Sequence, residues 1–217
     1  MSTLKPTLLI VIAAAMTLIT TVSHSTEGQI TVHDLQTRWA VANYELADKK
    51  AKLEAFETLQ ASAEHYTAEH PDDADGWVWS GIIKSTYAGA KGGLGALGLA
   101  KAARKDLEAS LAIDDQAMHG SAYTSLGTLY FSVPGWPIGF GSDKKAEQML
   151  RKGLELNPDG IDSNYFYAEY LRDQDNTTGA RNHYAKARAA SPRPDRPLAD
   201  RGRQQEITSA LAELGTE

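Results

Sequence analysis

IDSNYFYAEYLRDQDNTTGARNHYAKARAASPRP, residues 161–194, decides the fold of this 217-residue chain. With Ile161 as position 1, large apolar or aromatic residues stand at positions 7, 11 and 24 (Tyr167, Leu171, Tyr184). Alanines stand at 8, 20 and 27 (Ala168, Ala180, Ala187), and Pro192 falls at 32. Only Asn164, at position 4, is polar where a bulky group is expected. Such spacing fits two antiparallel helices in one unit. Small residues let the helices approach, and larger ones fill the space between them.

The pattern recurs upstream. Residues 120–158 repeat it with seven extra residues between the two helices: Tyr123, Leu126, Gly127 and Tyr130, then Ala146, Leu150, Gly153 and Pro158. Residues 74–115 repeat it with ten extra: Trp77, Ser80, Gly81 and Lys84, then Ala103, Leu107 and Ser110, with Asp115 in the proline slot. An earlier pair, about 34–47 and 51–69 and ending at Pro71, matches poorly, as a terminal unit does. These units resemble the tetratricopeptide repeat (TPR). The resemblance implies an all-α, TPR-like helical-repeat solenoid, a right-handed superhelix of antiparallel helix pairs, over 34–71, 74–115, 120–158 and 161–194. Pro192, Pro194 and Pro197 then forbid helix. A final helix near 198–214, striped by Leu198, Ile207, Leu211 and Leu214, is expected to cap the last repeat. Arg201 and Arg203 fall on its polar side and read as solvated or paired surface charge.

Both insertions lie between the first and second helix of a repeat, so they should emerge on one edge as neighbouring loops. Residues 88–98 hold five glycines and read as a glycine-rich loop. They lack Gly-Lys-Ser/Thr and follow a helix, so they make no phosphate loop. Residues 132–143 alternate Trp136, Ile138 and Phe140 with Gly and Pro, and Ser142-Asp143 suits an N-cap for the next helix. Exposed aromatic groups are costly unless they pack or bind. Either the loops fold over the stack and bury these side chains, or the side chains meet a partner.

At the other end of the chain, Lys5 precedes an uncharged apolar stretch over residues 6–22, and Ser23-His24-Ser25 places small residues at −3 and −1 of a cleavage after Ser25. This is the order of a secretory signal peptide over residues 1–25, with a periplasmic or secreted product. A short uncleaved anchor is the alternative. After cleavage no stable membrane insertion is expected.

Composition narrows the function. There is no cysteine, which excludes disulfides, cysteine-ligated metals and a lipid-bearing cysteine. None of the six histidines forms a His-Glu-x-x-His pattern, so no metal and no cofactor is expected. The net charge is −6, against the basic surface that nucleic acid requires. His119 with Asp162 or Glu169 is the nearest approach to an acid–base set, and no spacing singles it out. The expectation is a non-enzymatic binding scaffold for a protein or peptide partner, or a second copy of the chain in a homo-oligomer. Its groove is lined by first-helix positions 2, 5, 9 and 12: Asp75, Val78, Ile82 and Ser85; Ser121, Thr124, Thr128 and Phe131; Asp162, Tyr165, Glu169 and Arg172. From these and the second loop, the candidate partner-binding residues are Trp136, Phe140, Phe131, Thr128, Tyr165, Glu169 and Arg172. A small-ligand carrier using the edge loops is the alternative.

Val133-Pro134-Gly135-Trp136-Pro137-Ile138-Gly139-Phe140-Gly141, then Asp143-Lys144-Lys145-Ala146, then Asn157-Pro158-Asp159-Gly160-Ile161-Asp162 resemble exported bacterial repeat proteins related to the T-component of TRAP transporters. That resemblance implies an all-helical periplasmic protein that associates with a substrate-binding protein or with itself. The chain lacks the lipid-accepting cysteine that many of those proteins carry.

Overall fold

A computed structural model describes residues 29–215, and the apolar N-terminal stretch with its cleavage pattern lies outside them. The described residues form nine helices: α1 (Val32–Tyr44), α2 (Lys49–Glu69), α3 (Ala74–Lys91), α4 (Gly93–Ile113), α5 (Ala117–Ser132), α6 (Asp143–Leu156), α7 (Ile161–Asp173), α8 (Thr177–Ala189) and α9 (Pro197–Glu213). Local chemistry sets their starts. Thr31 and Asp34 make a reciprocal capping box for α1, and the side chains of Asp48, Asp73 and Asn176 accept from first-turn amides of α2, α3 and α8. Ser142 caps α6 through the Lys145 amide, the role its sequence suggested.

The small residues of the repeat do what the pattern requires. A Cβ on Gly81 would stand 2.5 Å from Leu107 Cγ, and one on Gly127 2.5 Å from Leu150 Cγ. Gly153 lies against Thr124 in the same way. Thus α3 packs closely on α4, and α5 on α6. Asn164 fits despite its polarity. Fully buried, its amide donates to Pro158 O at 2.8 Å and Gly160 O at 3.0 Å, and its Oδ1 lies 3.0 Å from His183 Nδ1. It fastens the preceding turn to α8. Lys84, which stands where an aromatic residue is usual, is also buried. It meets Asp106 of α4 at 2.6 Å, and Ser80 donates to the same carboxylate oxygen at 2.7 Å.

Two expectations need correction. Residues 88–98 form no extended loop. Helix α3 continues to Lys91 and α4 begins at Gly93, with the reversal made at Gly92 and Gly93, both at positive φ (66° and 61°). Glycine supplies that backbone without strain. The inserted residues therefore lengthen the helices to 18 and 21 residues. In addition, Arg203 is not on a solvated face. It is 7% exposed and points into the molecule.

That burial reflects how the stack closes. Each of α1, α3, α5 and α7 touches the next, and α9 touches both α7 and α1, so the inner helices form a closed ring. One side of α9 places Ile207 and Ala210 in a core with Ala168, Ala180 and Tyr184. Another places Ala199 among Leu35, Trp39 and Ala40 of α1. Gly202 permits this approach, because a Cβ there would overlap the Tyr44 ring. The C-terminal helix thus caps the last pair and also bridges to the first.

Candidate functional site

The inner helices line two adjoining, partly open chambers of about 550 Å³ and about 690 Å³. Trp39, Ser85, Thr86, Thr128, Phe166 and Arg203 border both. Their other walls differ in chemistry. The smaller chamber is the more polar of the two, with Ser121, Thr124, Ser125 and Asp162 beside the segment Ser191–Arg196. The larger is apolar, with Ala96, Leu97, Phe131, Val133, Pro134 and Ile138.

Charge in the polar chamber is organised by Asp162. Its Oδ1 accepts from Arg203 Nε at 2.9 Å and its Oδ2 from Arg193 at 2.7 Å. Burial alone would push this carboxyl up. The Arg203 and Arg193 guanidinia outweigh that and hold it well below the usual carboxylate range. Both oxygens are engaged and the group stays ionised, which makes Asp162 a poor general base. Arg203 also pairs with Glu206 and lies over the Tyr165 and Phe166 rings, at 4.2 and 4.6 Å from their centroids. Arg193 pairs further with Asp200 at 2.6 Å. Arg196 differs from both. It forms no ion pair among the described residues, and its guanidinium lies 4.9 Å from the Trp79 ring centroid.

Opposite this cluster the backbone is strained. Met118 (φ 47°) and His119 (φ 55°) are left-handed, a conformation costing about 1–2 kcal/mol for a residue with a Cβ. The turn brings Met118 Sδ 3.1 Å from Trp79 Nε1, and both Met118 and His119 line the polar chamber.

The 133–142 segment borders the apolar chamber. Gly141 N–H donates to Pro134 O at 3.0 Å, Gly139 N–H to Gly135 O at 3.1 Å and Ser142 N–H to Tyr130 O at 2.8 Å. A Cβ on Gly139 or Gly141 would strike the Pro134 or Val133 carbonyl. The loop is therefore held in one shape, and its apolar residues divide. Val133 and Phe140 join the core, with Phe140 edge-on to Tyr130 and under the Arg104 guanidinium at 4.5 Å. Trp136 and Ile138 are 90% and 69% exposed. Of the three residues Trp136, Ile138 and Phe140, burial against the stack therefore holds for Phe140 and not for the other two. The 88–98 and 133–142 segments do adjoin: Gly92, Gly93, Val133 and Pro134 share one chamber.

Of the seven residues singled out by sequence, Phe131, Thr128, Tyr165 and Glu169 come together around the apolar chamber. Trp136 sits outside, on the tip of the bordering loop, and Phe140 is a packing residue. Arg172 lines neither chamber and pairs with Glu169 at 2.7 Å and Glu213 at 2.9 Å. Of the remaining groove positions, Ser121, Thr124, Asp162, Ile82 and Ser85 face the chambers, whereas Val78 is in the core and Asp75 lines neither. Sequence reasoning missed Trp79, Ser125 and Phe166, all at repeat position 6, and Arg196 and Arg203. A wider arc of each first helix would have found the position-6 residues. Nothing in the repeat pattern points to the arginines.

His119 and Asp162 share the polar chamber, while Glu169 borders the other. Among the described residues no three His, Asp or Glu side chains converge as metal ligands, and no helix is long and apolar enough to cross a membrane.

No family model matches the chain, and no curated protein matches it. Solved structures do. TTC0263, a thermophilic TPR protein in Thermus thermophilus, superimposes with a TM-score of 0.54 over 84% of this chain and 98% of its own, at 16% identity. Two structures of MamA give TM-scores of 0.45 and 0.44 at 17% and 16% identity, covering 77% and 83% of this chain and 91% and 90% of theirs. The match to TTC0263 shows that the fold is that of an all-α tetratricopeptide-repeat protein.

Proposed function

We propose that the chain is an exported, non-enzymatic interaction scaffold that receives an extended segment of a protein partner in its apolar chamber, with Trp136 and Ile138 gripping that partner at the rim. One observation carries this reading. A loop fixed by its own backbone hydrogen bonds displays Trp136 to solvent beside an apolar chamber. Exposed tryptophan on a rigid support is what dominant interface residues look like, because little side-chain entropy is lost on docking. Phe131, Tyr165 and Val133 offer apolar wall, and Thr128 and Glu169 offer polar anchors.

Export rests on the Lys5, apolar 6–22, Ser23-His24-Ser25 order. Kinship to TRAP T-components rests on the 133–146 and 157–162 motifs and favours an exported substrate-binding protein as the partner. A mature N-terminus at Thr26 in the periplasmic fraction is expected, and a full-length membrane-bound chain would refute export. Protein captured by the full chain in its native host is expected to bind Trp136→Ala about 30-fold more weakly, with the helical circular dichroism retained. Equal capture by Trp136→Ala and Ile138→Ser would sink the rim assignment.

A further inference from the structure

The polar chamber holds a feature that the partner reading does not use. Among its three arginines, Arg193 and Arg203 are both committed to Asp162 and to a second carboxylate each. Arg196 has no carboxylate within ion-pair distance among the described residues, and its Nε is buried with no hydrogen-bond acceptor. Buried donors are almost always satisfied, and a guanidinium N–H without an acceptor is costly. The residue is nonetheless held firmly. Its guanidinium lies over the Trp79 ring, 4.9 Å from the centroid, and this contact restrains the side chain. Ser125 and Ser191 line the same chamber, and helix α9 starts at Arg196 with no side-chain cap, so its positive end adds to the local field. Asp159 and Asp195 also line this chamber, but both are exposed, whereas Asp162 is neutralised by its two arginines.

We infer that Arg196 is the anchor of an oxyanion site in the polar chamber, taking a carboxylate or phosphate group of a small ligand. These are the two shapes that a guanidinium fork pairs with bidentately. The 550 Å³ chamber accommodates a small organic acid or phosphate ester with room for its polar substituents. The site is separate from Trp136 and Ile138, so its failure and that of the rim assignment are distinguishable.

The test is calorimetric titration of the full chain with succinate and, separately, with inorganic phosphate, at constant ionic strength in chloride. Saturable one-to-one binding is expected for at least one of them, weakened roughly tenfold or more in Arg196→Gln and unchanged in Arg201→Gln, an exposed arginine of the adjoining helix α9. Succinate binding alone assigns the site to carboxylates, and phosphate binding alone assigns it to phosphate groups. Should Arg196→Gln fail to fold, Arg196→Lys keeps the charge without the fork and is expected to bind several-fold more weakly than the native chain. Absence of saturable binding by both anions overturns the site. So does binding that survives in the Arg196 variants at native strength.

Discussion

Asp162→Asn tests how the ring is closed. The carboxylate joins α7 to Arg203 of α9 and to Arg193 of the preceding turn. A hydrogen bond to a charged group contributes about 1.5–3 kcal/mol, so losing two would cost up to about 6. Two features reduce this. Asparagine retains one oxygen that can still accept, and Arg203 and Arg193 keep Glu206 and Asp200. Asp162 is also partly exposed, which screens its charge. The expected loss is about 1.5–3 kcal/mol, or roughly 3–12 °C in Tm for a chain of this size. Thermal unfolding at neutral pH measures it. The effect should be local, with faster amide exchange in α9 and α1 and little change in α4 and α6. Its pH dependence has a definite sign. A carboxyl held below its unfolded value of about 3.9 adds stability above that value and loses it as pH falls toward the folded one. The gap between native and variant should therefore close at acidic pH. Equal Tm at pH 7, or exchange raised uniformly along the chain, would refute the assignment of Asp162 as the closing residue.

The packing of the repeats makes further predictions. Lys84→Met leaves Asp106 buried with Ser80 as its remaining hydrogen-bond partner, and is expected to cost about 3–5 kcal/mol in chemical denaturation, whereas Lys84→Met with Asp106→Leu should recover most of that loss. An unrecovered double variant would show that the pair is needed for more than charge balance. Gly127→Ala would drive a methyl into Leu150 and should destabilise by about 1–3 kcal/mol. Gly98→Ala meets nothing within 4 Å on α4 and should stabilise by about 0.5–1 kcal/mol. The same substitution with opposite signs separates close approach from helix propensity.

The sequence alone determined the helix pairs and their spacing. The reason is that Gly81 against Leu107 and Gly127 against Leu150 are contacts within one repeat, and periodic burial writes local contacts into a 34-residue pattern. It also placed Thr128, Phe131, Tyr165 and Glu169 on the inner face, since helical periodicity decides which way a side chain points. It misjudged residues 88–98, because glycine-rich composition does not reveal whether a reversal takes two residues or eleven. It assigned Arg203 to the surface because α9 looks amphipathic only when its partner is the last repeat. The tertiary structure decided otherwise. The stack turns far enough for α9 to reach α1, so that Tyr44 meets Gly202 and Glu206, the latter 162 residues away. That closure is the sum of small rotations between successive pairs, and no single repeat encodes it. By closing the groove it buries Arg203, aligns Asp162 between two guanidinia and sets Arg196 over Trp79. The polar chamber is therefore a product of long-range geometry, whereas the helices that wall it were legible one repeat at a time.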